Sequence, residues 1–351
     1  MLVFSFIVAL LLCLQIIQAD PSWRSGENID IVFGLEVGAL PTEVYAAGYS
    51  NTDGGIVYYS GDRANKQPSQ TWKVGGKNYD ISLSTDNTTL CVVGSAGIFT
   101  GPSRYFFTPT KSNAFSAVVA QEVRPFGSKG FAVIGRFTNS LGGITNGVAI
   151  STDLGATWKA YGLGLSREKG YYARFGSFPS ENTWYITSGN WPNNNDGKLL
   201  SDKALRVSGR ISVYLDTGSD EPAVTFMSAR KLLGTYPGAI SKTTNGGKNF
   251  KKVLDSNGEY YYNQIDCFSE NNCFVIGENG KKAIILKTTD GGDTWTNVMT
   301  LNGPYSLHAV RMISDTEVFV AGGHPSVGPY VSKEIQGTYY HTTDGGANWD
   351  L

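Results

Sequence analysis

The sequence predicts an all-β fold made of seven similar units, each a small antiparallel sheet of four strands. Three observations carry that expectation. An octapeptide recurs as "STDLGATW" (151–158), "TTNGGKNF" (243–250), "TTDGGDTW" (288–295) and "TTDGGANW" (342–349). Short β-rich runs closing on a glycine recur more often, ending at Gly48, Gly94, Gly135, Gly189, Gly234, Gly277 and Gly322, in steps of 46, 41, 54, 45, 43 and 45 residues. Composition agrees: 43 Gly beside 19 Tyr and 17 Phe suits short strands joined by tight turns.

Strand-like sequence with a period of 40–50 residues implies a β-propeller with one four-stranded blade per repeat. The unit starting near Tyr260 displays the parts. "YYYNQIDCF" reads as the inner strand, "NCFVIG" as the second, "AIILKTT" as the third and "WTNVMTL" as the outer one, with "TTDGGDTW" joining third to fourth. In the first unit this joint is stretched to "SGDRANKQPSQTW", in the second it has lost its Asp, and in the fourth it is unrecognisable. The octapeptide itself makes sense as a turn. An Asp carboxylate accepts bonds from N–H groups that a hairpin turn leaves unpaired, and Gly supplies positive φ. The closing aromatic ring packs between neighbouring sheets. Asp153, Asp290, Asp344 and the substitute Asn245, with Trp158, Trp295, Trp349 and Phe250, are therefore read as structural residues on the outer rim.

Residues 1–19 form an apolar run, "MLVFSFIVALLLCLQIIQA", that reads as a secretory signal peptide, leaving 20–351 as one propeller domain without a membrane span. The expected location is extracellular or the lumen of the secretory pathway. A formal net charge of −1 argues against a nucleic-acid or polybasic membrane surface. In an exported protein Cys267 and Cys273, flanking the polar loop "FSENN", are expected to form a local disulfide, and Cys91 in "TLCVVG" to be a buried thiol. His308, His324 and His341 show no ligand spacing with the cysteines, so no metal and no cofactor is expected. Asn87 in "NTT" is a glycosylation sequon in a surface turn.

The pattern Ser/Thr-x-Asp-x-Gly-x-Thr-Trp, complete at 151–158 and 288–295, resembles the Asp-box, or bacterial neuraminidase repeat. The resemblance extends over nearly all of 20–351 through the seven-fold period, and it is similar in size and boxes to the photosystem II stability/assembly factors. Sialidases, two-propeller xyloglucanases and sortilin-type receptors share the repeat, so it implies a propeller without a particular function. A sialidase is disfavoured: "VRPFG" (123–127) and "SGRISV" (208–213) lack the Arg-Ile-Pro sequence of that family, although Arg136, Arg174, Arg210 and Arg311 would suffice in number.

Propellers bind ligands on the face built from second-to-third-strand loops and from blade-to-blade joints. The longest such segments here follow Gly135, Gly189 and Gly322, and long loops on a rigid scaffold tend to carry function. They place Arg136, Tyr171, Tyr172, Trp191, Asn193, Asn194, Tyr236, Tyr260, Tyr261 and Tyr305 at a mouth of rings and amides suited to a glycan or a peptide segment. The leading expectation is a secreted, monomeric, non-enzymatic binding or assembly module for a glycan or an extracellular protein. The alternative is a glycoside hydrolase using Asp196, Glu259 or Glu278. Finally, because "TTDGGANWDL" stops two residues beyond Trp349, residues 22–28 are expected to complete the seventh sheet beside Tyr339–Thr342.

Overall fold

The structure is a computed structural model. It describes residues 31–350, leaving out 64–69, 105–106, 113–116, 139–143, 163–171, 191–193, 202–226, 229–238, 243–250, 324–338 and a few single positions. The signal-peptide segment and the proposed strand 22–28 thus lie outside the described residues.

Among the described residues there is no α-helix, and the strands form seven separate antiparallel sheets. The sheets occupy 31–73, 78–111, 117–162, 172–201, 227–255, 261–302 and 307–342, each with its strands adjacent in chain order. The sixth sheet reproduces the expected unit, with strands Tyr261–Cys267, Cys273–Glu278, Lys282–Thr288 and Thr296–Asn302. Its second strand is buried at every position, whereas its fourth is exposed or half-buried throughout. Middle strands covered on both faces read as continuous apolar runs, so the alternation of a one-sided sheet is lost.

Apolar cores lie between consecutive sheets. Tyr45, Val57 and Tyr59 of the first sheet meet Ile81, Leu90 and Val92 of the second. Cys91, Val93 and Ile98 meet Val123, Phe131 and Val133 of the third, and Phe274 and Ile276 of the sixth meet Leu307, Val318 and Val320 of the seventh. The decisive core joins the ends: Val32, Leu35 and Ile56 of the first sheet pack on Ala309, Phe319 and Tyr339 of the seventh. The last sheet therefore packs back on the first. An antiparallel bridge between Ile31 and Gly323 and the ion pair Arg63–Glu317 (3.2 Å) reinforce that seam.

The recurring glycine has a steric cause. Gly48, Gly94, Gly135, Gly277 and Gly322 each pair with a residue of the first strand next to which that strand bulges, so that the register skips Phe33, Tyr79, Gln121, Asn263 and His308. Arg174 is the corresponding bulge of the fourth sheet. A Cβ at Gly94, Gly135 or Gly322 would fall far inside van der Waals contact of the backbone oxygen of Lys77, Val119 or Ser306. Only glycine allows the kinked first strand to lie so close.

Cys267 and Cys273 face each other across the first hairpin of the sixth sheet and are disulfide-bonded, with Cα atoms 4.0 Å apart, while Cys91 is a buried free thiol. Asn87 stands exposed in its turn with φ 59°. At the seventh sheet, His341 and Asp350 exchange backbone hydrogen bonds of 3.1 and 2.8 Å, so the chain's own last turn occupies that edge at His341.

Gly135→Ala is expected to lower unfolding stability by about 1–3 kcal/mol, the usual cost of forcing an extra methyl into a packed site. Denaturant titration checks this; an unchanged midpoint would show that the first strand yields without penalty.

Candidate functional site

The octapeptide turns lie between the outer strands, at the opposite side of each sheet from the bulged strand. Asp153, Asp290 and Asp344 are exposed and share one geometry. Oδ1 of Asp290 accepts the Thr294 N–H (2.9 Å) and the Thr288 hydroxyl (2.8 Å), and Thr288 Oγ1 accepts the Gly292 N–H (2.8 Å). Asp153 does the same with Thr157 and Ser151, and Asp344 with Asn348 and Thr342. The Thr294 hydroxyl and N–H bonds hold the Asp290 carboxyl down at about 2, and the Asn348 donors hold Asp344 likewise at about 2. Trp158, Trp295 and Trp349 each join the core between their own sheet and the preceding one. Asn245 and Phe250 lie outside the described residues.

The first strands are different. Those of the first four sheets contact their neighbours in turn, as do those of the sixth, seventh and first, and each presents a sheet edge that its own sheet leaves open. Side chains of the preceding sheet supply the partners. Glu36 Oε2 accepts the Leu83 N–H (3.2 Å) and the Ser82 hydroxyl (3.1 Å). Asp80 Oδ2 accepts the Val123 N–H (3.1 Å), and Glu122 Oε2 the Gly176 N–H (2.5 Å). Gln264 and Asp266 accept the Val310 and Met312 N–H groups at 2.8 and 2.7 Å. The ring is closed by Arg311, whose Nη2 donates to Glu36 Oε1 (2.9 Å) and whose Nη1 lies 3.8 Å from Asp266 Oδ1. Arg124 pairs with Glu122.

These acids are buried, and burial dominates their ionisation. It pushes Asp80 up to about 6 and Glu122 up to about 7, against the opposing pull of Arg124 on both. Asp266 is raised for the same reason, with Arg311 opposing. Gly34 is what lets Asp80 in: a Cβ there would stand 2.9 Å from Asp80 Oδ1 and 2.8 Å from its Cα.

Beside this ionic layer the bulged residues gather. The Phe33 ring lies 5.7 Å from Tyr79 at an interplanar angle of 72° and 5.3 Å from His308 at 50°. All three are half-buried and come from the first, second and seventh sheets. Asn263 is buried, donating to Leu307 O (2.7 Å) and to Glu278 (3.1 Å).

The sequence-predicted mouth residues scatter around this centre. Arg136 is half-buried one position past Gly135, opposite Asn146. Tyr260 and Tyr305 pack against inter-sheet cores. Burial, helped by a bond to Glu259, raises the Tyr260 phenol, and Glu259 itself is exposed. Glu278 does not stand open at the mouth. It is buried, accepting from Asn263 and the Ser306 hydroxyl, because it must satisfy the polar groups where two sheets meet. Tyr172, Asn194, Asp196 and Tyr261 lie on described strands, opposite Gly189 for Tyr172, Asn190 for Asn194 and Glu278 for Tyr261, with side chains outside the described residues. Tyr171, Trp191, Asn193, Tyr236 and His324 lie outside them altogether. Glu36, Asp80, Glu122, Arg124, Asp266 and the rings of Phe33 and Tyr79 are not singled out by the sequence, whereas His308 is expected near the mouth. A polar residue placed on each inner strand, one period apart, was the available signal.

No family model matches the chain, and no curated protein does. Solved structures do. A structure of YCF48 bound to D1 peptide aligns with a TM-score of 0.56 at 12% identity over 85% of this chain and 92% of that one. The GH74 xyloglucanase from Xanthomonas campestris aligns at 0.52 and 12% over 93% and 68%, and the Myceliophteria thermophila Cps50 (Swd1) beta-propeller domain at 0.55 and 11% over 84% and 93%. At such identities the likeness establishes the fold: the chain is an all-β propeller.

Two outcomes follow for stability. The folded pKa values of Asp80 and Glu122 exceed their ordinary 3.8 and 4.5, so the native state holds their protons more tightly and stability falls as pH rises through about 6 and about 7. Asp290 and Asp344 are depressed, so their contribution is present above 3.8 and is lost as pH falls toward about 2. Melting temperature plotted against pH should peak between these limbs, and Asp80→Asn with Glu122→Gln should make only the upper one shallower, the buried Asp266 keeping a share of it. Arg311→Met, which strands the buried Glu36 carboxylate, should cost roughly 3 kcal/mol in denaturant unfolding. A loss under 1 kcal/mol would mean that the seam does not depend on the pair.

Proposed function

We propose that this chain is a seven-bladed Asp-box propeller, exported after removal of residues 1–19, that works as a non-enzymatic binding or assembly module for a protein partner. The observation that carries the reading is the engagement of the central carboxylates. Glu36, Asp80, Glu122 and Asp266 each hold a backbone N–H of the next sheet, and Glu36, Glu122 and Asp266 also face an arginine. Acid–base catalysis at a glycosidic bond needs one carboxyl on each side of the substrate, about 5–10 Å apart and able to exchange protons with it. Groups fixed as acceptors for the scaffold are poorly placed for that work.

The bulges give the propeller a second use of its first strands. A bulge re-aims a side chain, and in five sheets it falls directly beside the residue paired with the repeat glycine. The segments after Gly135, Gly189 and Gly322 leave from that same end of their sheets, which makes it the natural contact face. The YCF48 structure, a propeller of similar extent holding a peptide, supports a protein partner over a glycan.

The test joins a crosslinking pull-down from the extracellular fraction to a turnover assay with a fluorogenic sialoside and a β-glucan. A specific protein should be captured, lost when 324–338 is replaced by a Gly-Ser linker, and retained by Asp290→Ala. Glycan-array binding with no protein captured would shift the partner class. Hydrolysis abolished by Glu122→Gln or Glu259→Gln in a folded protein would overturn the reading in favour of a hydrolase.

A further inference from the structure

At two junctions a lysine just before one octapeptide turn reaches the turn of the next sheet. Lys242 precedes the turn at 243–250 and Lys287 the turn at 288–295. Both meet the turn ahead at the same place: a Cβ at Gly291 would stand 3.3 Å from Lys242 Nζ, and one at Gly345 would stand 2.7 Å from Lys287 Nζ. Their partners differ. Lys242 Nζ lies 3.3 Å from Asp293 Oδ1, the sixth residue of its turn. In the seventh sheet the sixth residue of the turn is Ala347. Lys287 donates instead to the Gly345 carbonyl oxygen (3.0 Å) and lies 5.5 Å over the Phe274 ring, with no carboxylate partner among the described residues. A carbonyl occupies one of the three ammonium donors and leaves the charge unmatched.

Space accompanies the missing acid. A cavity of 330 Å³ lies between the two turns, lined by Lys287, Thr289, Thr296 and Val298 of the sixth sheet and by Gly345 and Ala347 of the seventh. Ligand pockets begin at about 300 Å³. Thr296 pairs directly opposite Lys287, so the two side chains share one face of their sheet. The exposed hydroxyls of Thr289 and Thr296 make no hydrogen bond among the described residues. Asp344 also borders the cavity. An acid at that position does not bar a second one, because Asp290 holds the same place in the turn whose Asp293 meets Lys242.

We propose that this cavity binds a carboxylate, the acidic side chain of a peptide segment, with Lys287 as its counter-charge and the Thr289 and Thr296 hydroxyls as further donors. The pattern for the complex is inside the protein. At the preceding junction the carboxylate that meets the lysine belongs to a turn residue, and it comes from the solvent side: the Asp293 side chain is 64% exposed and that of Lys242 only 16%. An acid from outside the chain can take the same route where Ala347 leaves it open. The cavity lies at the turn end of the sheets, opposite the end from which the segments after Gly135, Gly189 and Gly322 leave, so it is separate from the contact face proposed above. A single ion pair that water reaches is weak and screened by salt, so the site anchors one residue of a longer contact.

The test titrates the purified chain with Nα-acetyl-glutamate methylamide, with its neutral isostere Nα-acetyl-glutamine methylamide and with sodium glucuronate, followed by NMR shifts of the Gly345, Gly346 and Ala347 amides. The glutamate amide should give saturable shifts that added salt weakens, and the glutamine amide should give none. Lys287→Met, which keeps the apolar stem over Phe274, should weaken binding roughly fivefold. Ala347→Asp, which places in the seventh turn the acid of the sixth, should fill the site from within and abolish the shifts at Gly345 and Gly346. Melting curves establish that each variant is folded. Absence of saturation by the glutamate amide, equal binding of the glutamine amide, or binding unchanged in folded Lys287→Met or Ala347→Asp overturns the site. Tighter saturation by glucuronate than by the glutamate amide overturns the peptide as the source of the carboxylate. The titration judges this cavity alone, and capture of a partner through 324–338 stands or falls separately.

Discussion

A sheet whose first strand lines the middle of a ring has one edge with nothing beside it. Each N–H on that edge needs an acceptor, and a buried donor left without one costs about 1–3 kcal/mol. In this protein the acceptor comes from the neighbouring sheet. Glu36, Asp80, Glu122 and Asp266 reach forward to Leu83, Val123, Gly176 and Met312, across sequence separations of 47, 43, 54 and 46 residues. Those separations are the repeat period itself. One interaction, present at these four junctions among the described residues, both satisfies the inner edge and fixes one sheet relative to the next.

The rest of the architecture follows from keeping that contact short. The repeat glycine lets the first strand bulge against the second, as at Gly94, Gly135 and Gly322. The bulge shifts the phase of the strand, so the acid faces forward to the next sheet while the bulged residue turns aside. The ring must also end. Arg311 stands three residues past its bulge, where Glu36 and Asp266 stand on their own strands, and donates to Glu36 across the seam. At the outer side, where water reaches the turns, the exposed acids of the boxes need only local donors. The same residue type is thus held at low pKa by turn donors on the outside and at raised pKa by burial on the inside.

Legibility in the sequence followed the same division. The all-β class and the bridge between Cys267 and Cys273 were readable because each rests on local sequence: a turn, a hairpin or a strand of about six residues. Asp290 and its donors span positions 288–294. The central acids were not readable in the same way. Glu122 looks like any charged residue in "AQEVRPF" until Gly176 is brought beside it, and the pairing of Glu36 with Arg311 spans 275 residues. The grouping of the three rings was hidden for a further reason. Phe33, Tyr79 and His308 sit inside strands, where rings normally signal core, and only the bulge turns them aside. The richer-looking aromatics outside the strand interiors, such as Tyr260 and Tyr305, are in part drawn into the inter-sheet packing.

Native-state amide hydrogen exchange of Leu83, Val123, Gly176 and Met312 tests the central claim most directly. These four N–H groups point away from their own sheets, so a propeller held by backbone ladders alone would leave them to exchange with the water in the centre. The carboxylate contacts predict protection comparable to that of ladder amides in the same strands, and selective loss at Val123 when Asp80 is replaced by Ala. Fast exchange at all four in the intact protein, or protection at Val123 that survives Asp80→Ala, would contradict the account.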